Sequence, residues 1–208
     1  MKLLVLGGTG PTGRHLIDRA LESGDTVTVL ARRPEALDHL KGRVTVIAGD
    51  ATSAHDVAKA MTGQDATISA LGRGKSIRAD SLFTRAAHAV IEAAAETGVS
   101  RLVWLSSFGV GDTFASANAV QKLMYSTFLR NIYADKKNAE DAIRACDLEW
   151  TLVYPSTLTN GPARGEYRVG DRVEMKPLAK ISRADVAEFM HTAVRGGEWI
   201  RRGAVITD

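Results

Sequence analysis

Residues 3–13 read Leu3-Leu4-Val5-Leu6-Gly7-Gly8-Thr9-Gly10-Pro11-Thr12-Gly13. Four apolar residues run straight into a glycine loop that satisfies both GxxGxxG, at Gly7, Gly10 and Gly13, and GxGxxG, at Gly8, Gly10 and Gly13. A helical pattern over 12–23 follows at once. A strand, a glycine turn and a helix in this order let backbone approach a pyrophosphate, while the helix start offers free N–H groups and the positive end of its dipole. Glycines of this kind also suit a tight turn that binds nothing. The place of the loop, between an apolar run and a helix, is what favours a dinucleotide.

Outward from the loop, short runs rich in Val, Ile and Leu recur at 27–30, 44–48, 66–71, 102–105 and 150–153. Each has the continuous apolar character of a strand buried on both faces. Amphipathic patterns at 54–61, 80–97 and 134–145 predict helices between them, and Gly24, Gly63 and Gly98 stand where helices stop. Such alternation predicts an α/β domain with a doubly wound parallel sheet. After Pro155 the rhythm breaks. Residues 156–180 carry Gly161, Pro162, Gly165, Gly170 and Pro177, which predicts a loop region on the substrate side with a hairpin at 166–174 around Gly170-Asp171. A helix over 183–194 and an edge strand over 204–207 close the pattern, and 1–208 reads as a single domain without internal repeats.

Composition sets the limits. The 208 residues are 45% apolar, 25% charged and 6% aromatic, within the range of one globular domain, and the single cysteine, Cys146, allows no internal disulfide. The net charge of +3 comes from scattered cations and not from one basic face, which argues against a nucleic-acid module and leaves anionic small molecules as partners. The apolar run at the N-terminus is too short for a signal segment, and no run approaches the 18 or so apolar residues that cross a bilayer, so no membrane partner and a cytoplasmic location are expected. His15, His39, His55, His88 and His191 show no ligand spacing, so no metal is expected. Trp104 and Cys146 read as packing residues, and the alanine-rich stretch 86–95 as a helix packed on the sheet or on a partner subunit. Monomer and homodimer stay equally open.

Where an NAD site has an acidic residue after the second strand, to bond the ribose 2′-hydroxyl, this chain has Arg32-Arg33. Two guanidiniums suit a 2′-phosphate, and NADP(H) is therefore favoured over NAD; a solvated pair of loop charges is the plainer alternative. Ligands of open parallel sheets bind beyond the carboxyl ends of the strands. That rule selects Asp50-Ala51, Ala70-Leu71-Gly72, Ser106-Ser107 and Pro155-Ser156-Thr157 as further cofactor contacts. Asp50 suits an adenine amino group and equally a turn or helix cap. Arg73, Lys75 and Arg78 border the cofactor mouth or belong to a solvated loop.

With GGTGPTG, VTVLARRP, VTVIAGDAT, LVWLSS, KKNAEDAIRACDLEWTLVYPS and ISRADVAEFM in order, nearly the whole chain resembles the atypical short-chain dehydrogenase/reductase group of the NmrA-like, NAD(P)-binding type. Within it the likeness is to the biliverdin reductase B, or flavin reductase, branch. The resemblance implies a Rossmann-type fold, Arg32 and Arg33 on the 2′-phosphate, and residues 7–13 on the pyrophosphate. It also implies Ser106 near the nicotinamide, Ser107 beside the substrate, a nicotinamide wall at Pro155, Ser156 and Thr157, and Phe108 facing the substrate. A basic residue four before the helix glutamate, here Lys136 before Glu140, is where the group places its site lysine or histidine.

Tyr133 and Lys137 match the YxxxK spacing by which short-chain dehydrogenases set a tyrosine acid beside a lysine. Helix phase speaks against them. At about 100° per residue, Ile132, Lys136, Ala139, Ile143 and Cys146 share an apolar stripe, and Tyr133, Lys137, Glu140 and Arg144 a polar face, so the Tyr133 and Lys137 pair is expected to meet water. A lysine on an apolar stripe either snorkels out or meets a ligand. Ser107 and Lys136 are thus the candidate catalytic pair. The expectation is an NADPH-dependent reductase passing hydride to a flavin, quinone or similar conjugated acceptor, which has less need of a protein acid. The alternatives are a non-catalytic NADP(H) sensor and a tyrosine-dependent carbonyl reductase or epimerase.

Overall fold

The computed structural model describes residues 1–72, 81–116, 130–176 and 178–208. In chain order its elements are β1 (Lys2–Leu6), α1 (Pro11–Glu22), β2 (Thr26–Ala31), a 3-10 turn (Pro34–Leu40), β3 (Thr45–Ala48), α2 (Ala54–Met61), β4 (Ala66–Ser69), α3 (Leu82–Thr97) and β5 (Arg101–Leu105). A second 3-10 turn (Gly111–Ser116), α4 (Arg130–Ala145), β6 (Glu149–Pro155), β7 (Thr157–Thr159), β8 (Arg168–Gly170), β9 (Lys180–Ser182), α5 (Arg183–Arg195) and β10 (Arg202–Thr207) follow. Arg73, Lys75, Arg78 and Pro177, and the expected helix start at Asp80, lie outside the described residues.

Among the described residues one sheet runs β3-β2-β1-β4-β5-β6-β10-β8, parallel except where β8 pairs antiparallel with β10. β7 and β9 make a separate parallel pair. The chain starts in the middle of the sheet, winds outward to β3, then crosses back to β4 on the other side of β1. That reversal opens a crevice beyond the carboxyl ends of β1 and β4, the place where open α/β sheets bind ligands.

Side-chain alternation in β1 explains the layering. Leu3 and Val5 point into one core with Leu16, Ile17 and Ala20 of α1 and Val186, Phe189 and Met190 of α5. Leu4 and Leu6 point into the other with Val57, Phe83, Ala87, Ala139 and Ile143 of α2, α3 and α4. All four residues of 3–6 have no exposed surface, as a central parallel strand covered on both faces requires. The alanines of α3 keep that helix thin, so it packs between α2 and α4.

Three expectations need correction. The segment around Gly170 does not fold back on itself as a hairpin: β8 instead pairs with β10, Val169 opposite Ile206. In consequence 204–207 lies in an inner strand, β10, between β6 and β8. β3 is the outer strand on the other side and is only half buried: Val46 packs partly on one core and Ile47 partly on the other.

A polar knot ties the two ends of the domain. Asp25, whose side chain is 1% exposed, accepts from the Met1 ammonium, pairs with His191 Nε2 and accepts from Arg195, each at 2.6 Å. It joins the turn before β2 to α5.

Candidate active site

The glycine loop is built by close approach. Gly7 has φ +79° and a Cβ on it would lie 2.6 Å from the Ala70 carbonyl oxygen, so only glycine lets the turn after β1 lie this close to the end of β4. The Gly10 N–H donates to the Gly7 carbonyl at 3.0 Å, closing the turn. Gly13 touches the loop from α1, where a Cβ would stand 2.2 Å from the Gly7 oxygen. Helix α1 then starts at Pro11 with Gly10 as a cap that supplies no side-chain hydrogen bond, and its first turn holds no acidic residue. Its first N–H groups and positive dipole end are thus left without an internal anion.

Beyond this loop lies a cleft of about 700 Å³. Gly7, Thr9, Gly10, Pro11 and Thr12 line it together with Arg32 and Arg33, Asp50 and Ala51, Ala70, Leu71 and Gly72, and Ser106, Ser107 and Lys136. Segments far apart in the chain therefore meet in one crevice. Asp50 serves its own turn as well, since one carboxylate oxygen accepts from Thr52 N–H at 2.9 Å and from its hydroxyl at 3.0 Å. Among the described residues it is the one carboxylate on the lining, against four cations.

Other candidates stand back from the lining. Gly13 acts behind the loop. Pro155 is buried at the end of β6, its carbonyl accepting from Phe108 N–H at 3.0 Å, while Ser156 and Thr157 donate backbone N–H groups to Ile206 and Ala179. Phe108 is 4% exposed and borders a separate cavity of about 230 Å³ beside Asp112, Arg172 and Val205. Lining residues that escaped the sequence reading include Leu158 of β7, and Arg183, which opens α5 and is held by Asn160 at 2.7 Å. Arg183 belongs to the ISRAD stretch, the one signal that pointed to it.

Helix α4 supplies the polar end of the cleft. Lys136 donates to Ser107 Oγ at 2.7 Å and lies 4.9 Å from the centre of the Phe83 ring. Burial lowers its pKa to about 8, with Glu140 and Asp135 opposing the fall. Glu140, grouped by helix phase with the polar residues, is buried. Only 1% of it is exposed; it accepts from the Ser106 hydroxyl and, at 2.9 Å, from Tyr154, and burial pushes its pKa up. Tyr133 departs from the expected water face: it is half-buried and donates to the Phe108 carbonyl at 3.1 Å, off the cleft lining. Lys137 is exposed and paired with Asp141 at 2.6 Å.

With that geometry in place, a family model described as NAD(P)H-binding matches residues 7–196. The chain belongs to the NAD(P)H-binding family. Its coarse class is that of the NAD(P)-dependent oxidoreductases. One relative of this family member is the (4-alkanoyl-5-oxo-2,5-dihydrofuran-3-yl)methyl phosphate reductase of Streptomyces griseus, 30% identical over 206 residues that cover 93% of this chain and 63% of the relative. Another, 27% identical, is an uncharacterized sugar epimerase, YhfK, of Bacillus subtilis, with 90% of this chain and 85% of the relative covered. Among solved structures, ChuY, an anaerobillin reductase from Escherichia coli O157:H7, superposes with a TM-score of 0.83 at 24% identity, over 99% of this chain and 96% of that one. That likeness shows the shared fold.

The residues fit the family's cofactor. Gly7 and Gly13 let the loop pack against the end of β4 and the start of α1, where a Cβ would meet backbone, and the uncapped helix start lines the cleft with Gly10, Pro11 and Thr12. The donor set on the cleft consists of guanidiniums, hydroxyls and backbone N–H groups, which is the chemistry a phosphorylated dinucleotide needs.

Proposed function

We propose that the protein is an NADPH-dependent reductase that passes a hydride to a flavin, quinone or similar flat conjugated acceptor. The observation that carries this is the placing of Arg32 and Arg33 on the same cleft as the glycine loop and the Ser106, Ser107 and Lys136 cluster. In this reading the two arginines hold the 2′-phosphate, the loop and the α1 start hold the pyrophosphate, and the serines and Lys136 meet the reacting end. Phe108, Pro155, Ser156 and Thr157 support this end from behind. The reductase named among the relatives agrees with the class of reaction.

When bound, NADPH supplies the hydride. Ser107 Oγ bonds the acceptor and delivers the accompanying proton, which Lys136 replaces and then regains from water. Acceptor, NADPH and one proton would give the reduced acceptor and NADP⁺, so the step would balance with no other reactant. Tyr133, bonded to Phe108 away from the lining, takes no part. Orientation and exclusion of competing geometries supply most of the acceleration.

Anaerobic mixing of the protein with NADPH and FMN tests the assignment. Bleaching of the flavin that depends on the protein is expected. Tight NADPH binding with no acceptor reduced would overturn the reductase in favour of a sensor.

A further inference from the structure

Two consecutive serines end β5, and two residues of α4 one helical turn apart hold them. Lys136 donates to Ser107, and Glu140 accepts from Ser106. The other Glu140 oxygen accepts from the Tyr154 hydroxyl of β6, which accepts from Arg144 at 2.8 Å. Gly111 closes the remaining side, where a Cβ would come within 2.9 Å of Glu140 Oε2. A carboxylate this deeply enclosed is costly unless it is bonded on both oxygens and balanced by charge, and here both conditions are met.

We propose that Glu140 is the positioning residue of the cleft: it fixes Ser106 and supplies the negative charge that keeps the Lys136 ammonium seated against Ser107. The inference rests on the reductase reading for its purpose, though not for its test. Through Lys136, Glu140 governs the proton that accompanies the hydride; through Ser106, it fixes the strand end from which Ser107 projects.

The groups around Lys136 agree with this division. On its own helix stand Glu140 and Asp135. The Asp135 carboxylate is committed to the start of α3, accepting from Phe83 N–H at 3.1 Å and Thr84 N–H at 2.9 Å. From α3 comes the Phe83 ring, from β5 the two serines, and behind Glu140 stand Tyr154 and Arg144, the latter 3.6 Å from Asp112. Burial drives the ammonium to shed its proton, and Glu140 is the first of the two charges that oppose it.

The test is a nuclear magnetic resonance titration of Lys136 in the whole protein carrying carbon-13 lysine, with Lys136→Met identifying the signal. In Glu140→Gln, which keeps shape and loses charge, the midpoint is expected to fall by about one pH unit from the wild-type value. An unchanged midpoint would overturn the proposal. If Glu140→Gln does not fold, Lys136→Met poses the question in reverse, because coupling between two sites is reciprocal. The Glu140 carboxyl, followed with carbon-13 glutamate, must then titrate at higher pH than in the wild type, and a midpoint that stays put overturns the proposal equally. Neither titration reads turnover, so silence toward every acceptor would defeat the reductase while leaving this result standing.

Discussion

Lys136 reaches across from α4 to donate its ammonium proton to the Ser107 hydroxyl at 2.7 Å. The bond joins a helix to the carboxyl end of β5 at the edge of the cleft, opposite the arginines that follow β2. In the proposed reading, substrate-side chemistry and cofactor selection fall to different segments, and variants should separate them.

Ser107→Ala is expected to lower kcat by about a hundredfold, in the range of a lost proton donor, with NADPH affinity changed little. Stopped-flow reduction of FMN together with calorimetric NADPH titration checks this. A fall in affinity equal to the fall in kcat would place Ser107 on the cofactor and not on the acceptor.

The pH profile should carry the signature of Lys136. Its pKa is lowered to about 8 by burial, so the proton is present below pH 8 and leaves above it, earlier than from a free lysine. Turnover is expected to hold steady up to about pH 8 and then decline, and Lys136→Met should lose that limb along with much of its rate.

Charge reversal at Arg32 and Arg33 addresses cofactor choice. Arg32→Glu with Arg33→Glu should weaken NADPH binding by about a hundredfold or more, two charge-assisted contacts being replaced by repulsion, and NADH binding only a few-fold. Equal losses for the two nucleotides, measured by calorimetry, would remove the 2′-phosphate from these residues.

Asp25→Ala should cost about 3–5 kcal/mol at neutral pH, because it leaves His191 and Arg195 without their shared partner. Burial raises the Asp25 pKa, but hydrogen bonds from the N-terminal ammonium, His191 and Arg195 outweigh it and bring the value down to about 2. The stabilisation is thus whole above the unfolded value of about 3.9 and lost as pH falls toward 2. Urea denaturation at a series of pH values should show the gap between wild type and variant narrowing over that window.

Much of the fold was legible from residues 3–13 read with the alternation of apolar runs and helical patterns along the rest of the chain, and the cleft assembled around that loop. What escaped detection depends on partners distant in the chain. Helix phase grouped Glu140 with Lys137 because it counts neighbours on one helix, whereas Glu140 is claimed by Ser106 of the preceding strand and Tyr154 of the next. Gly170-Asp171 has the chemistry of a hairpin turn, yet pairing with β10, more than thirty residues on, prevailed over the local alternative. Arg183 reaches the cleft because β9 and α5 bring it there, and the ISRAD stretch marked the segment without marking the side chain.

Steady-state oxidation of NADPH by the purified protein, against FMN, FAD and a set of quinones with NADH run in parallel, tests the central claim most directly. The account predicts turnover of at least one such acceptor with NADPH clearly preferred. No turnover of any of them, on a sample shown to bind NADPH, or a preference for NADH, would contradict it.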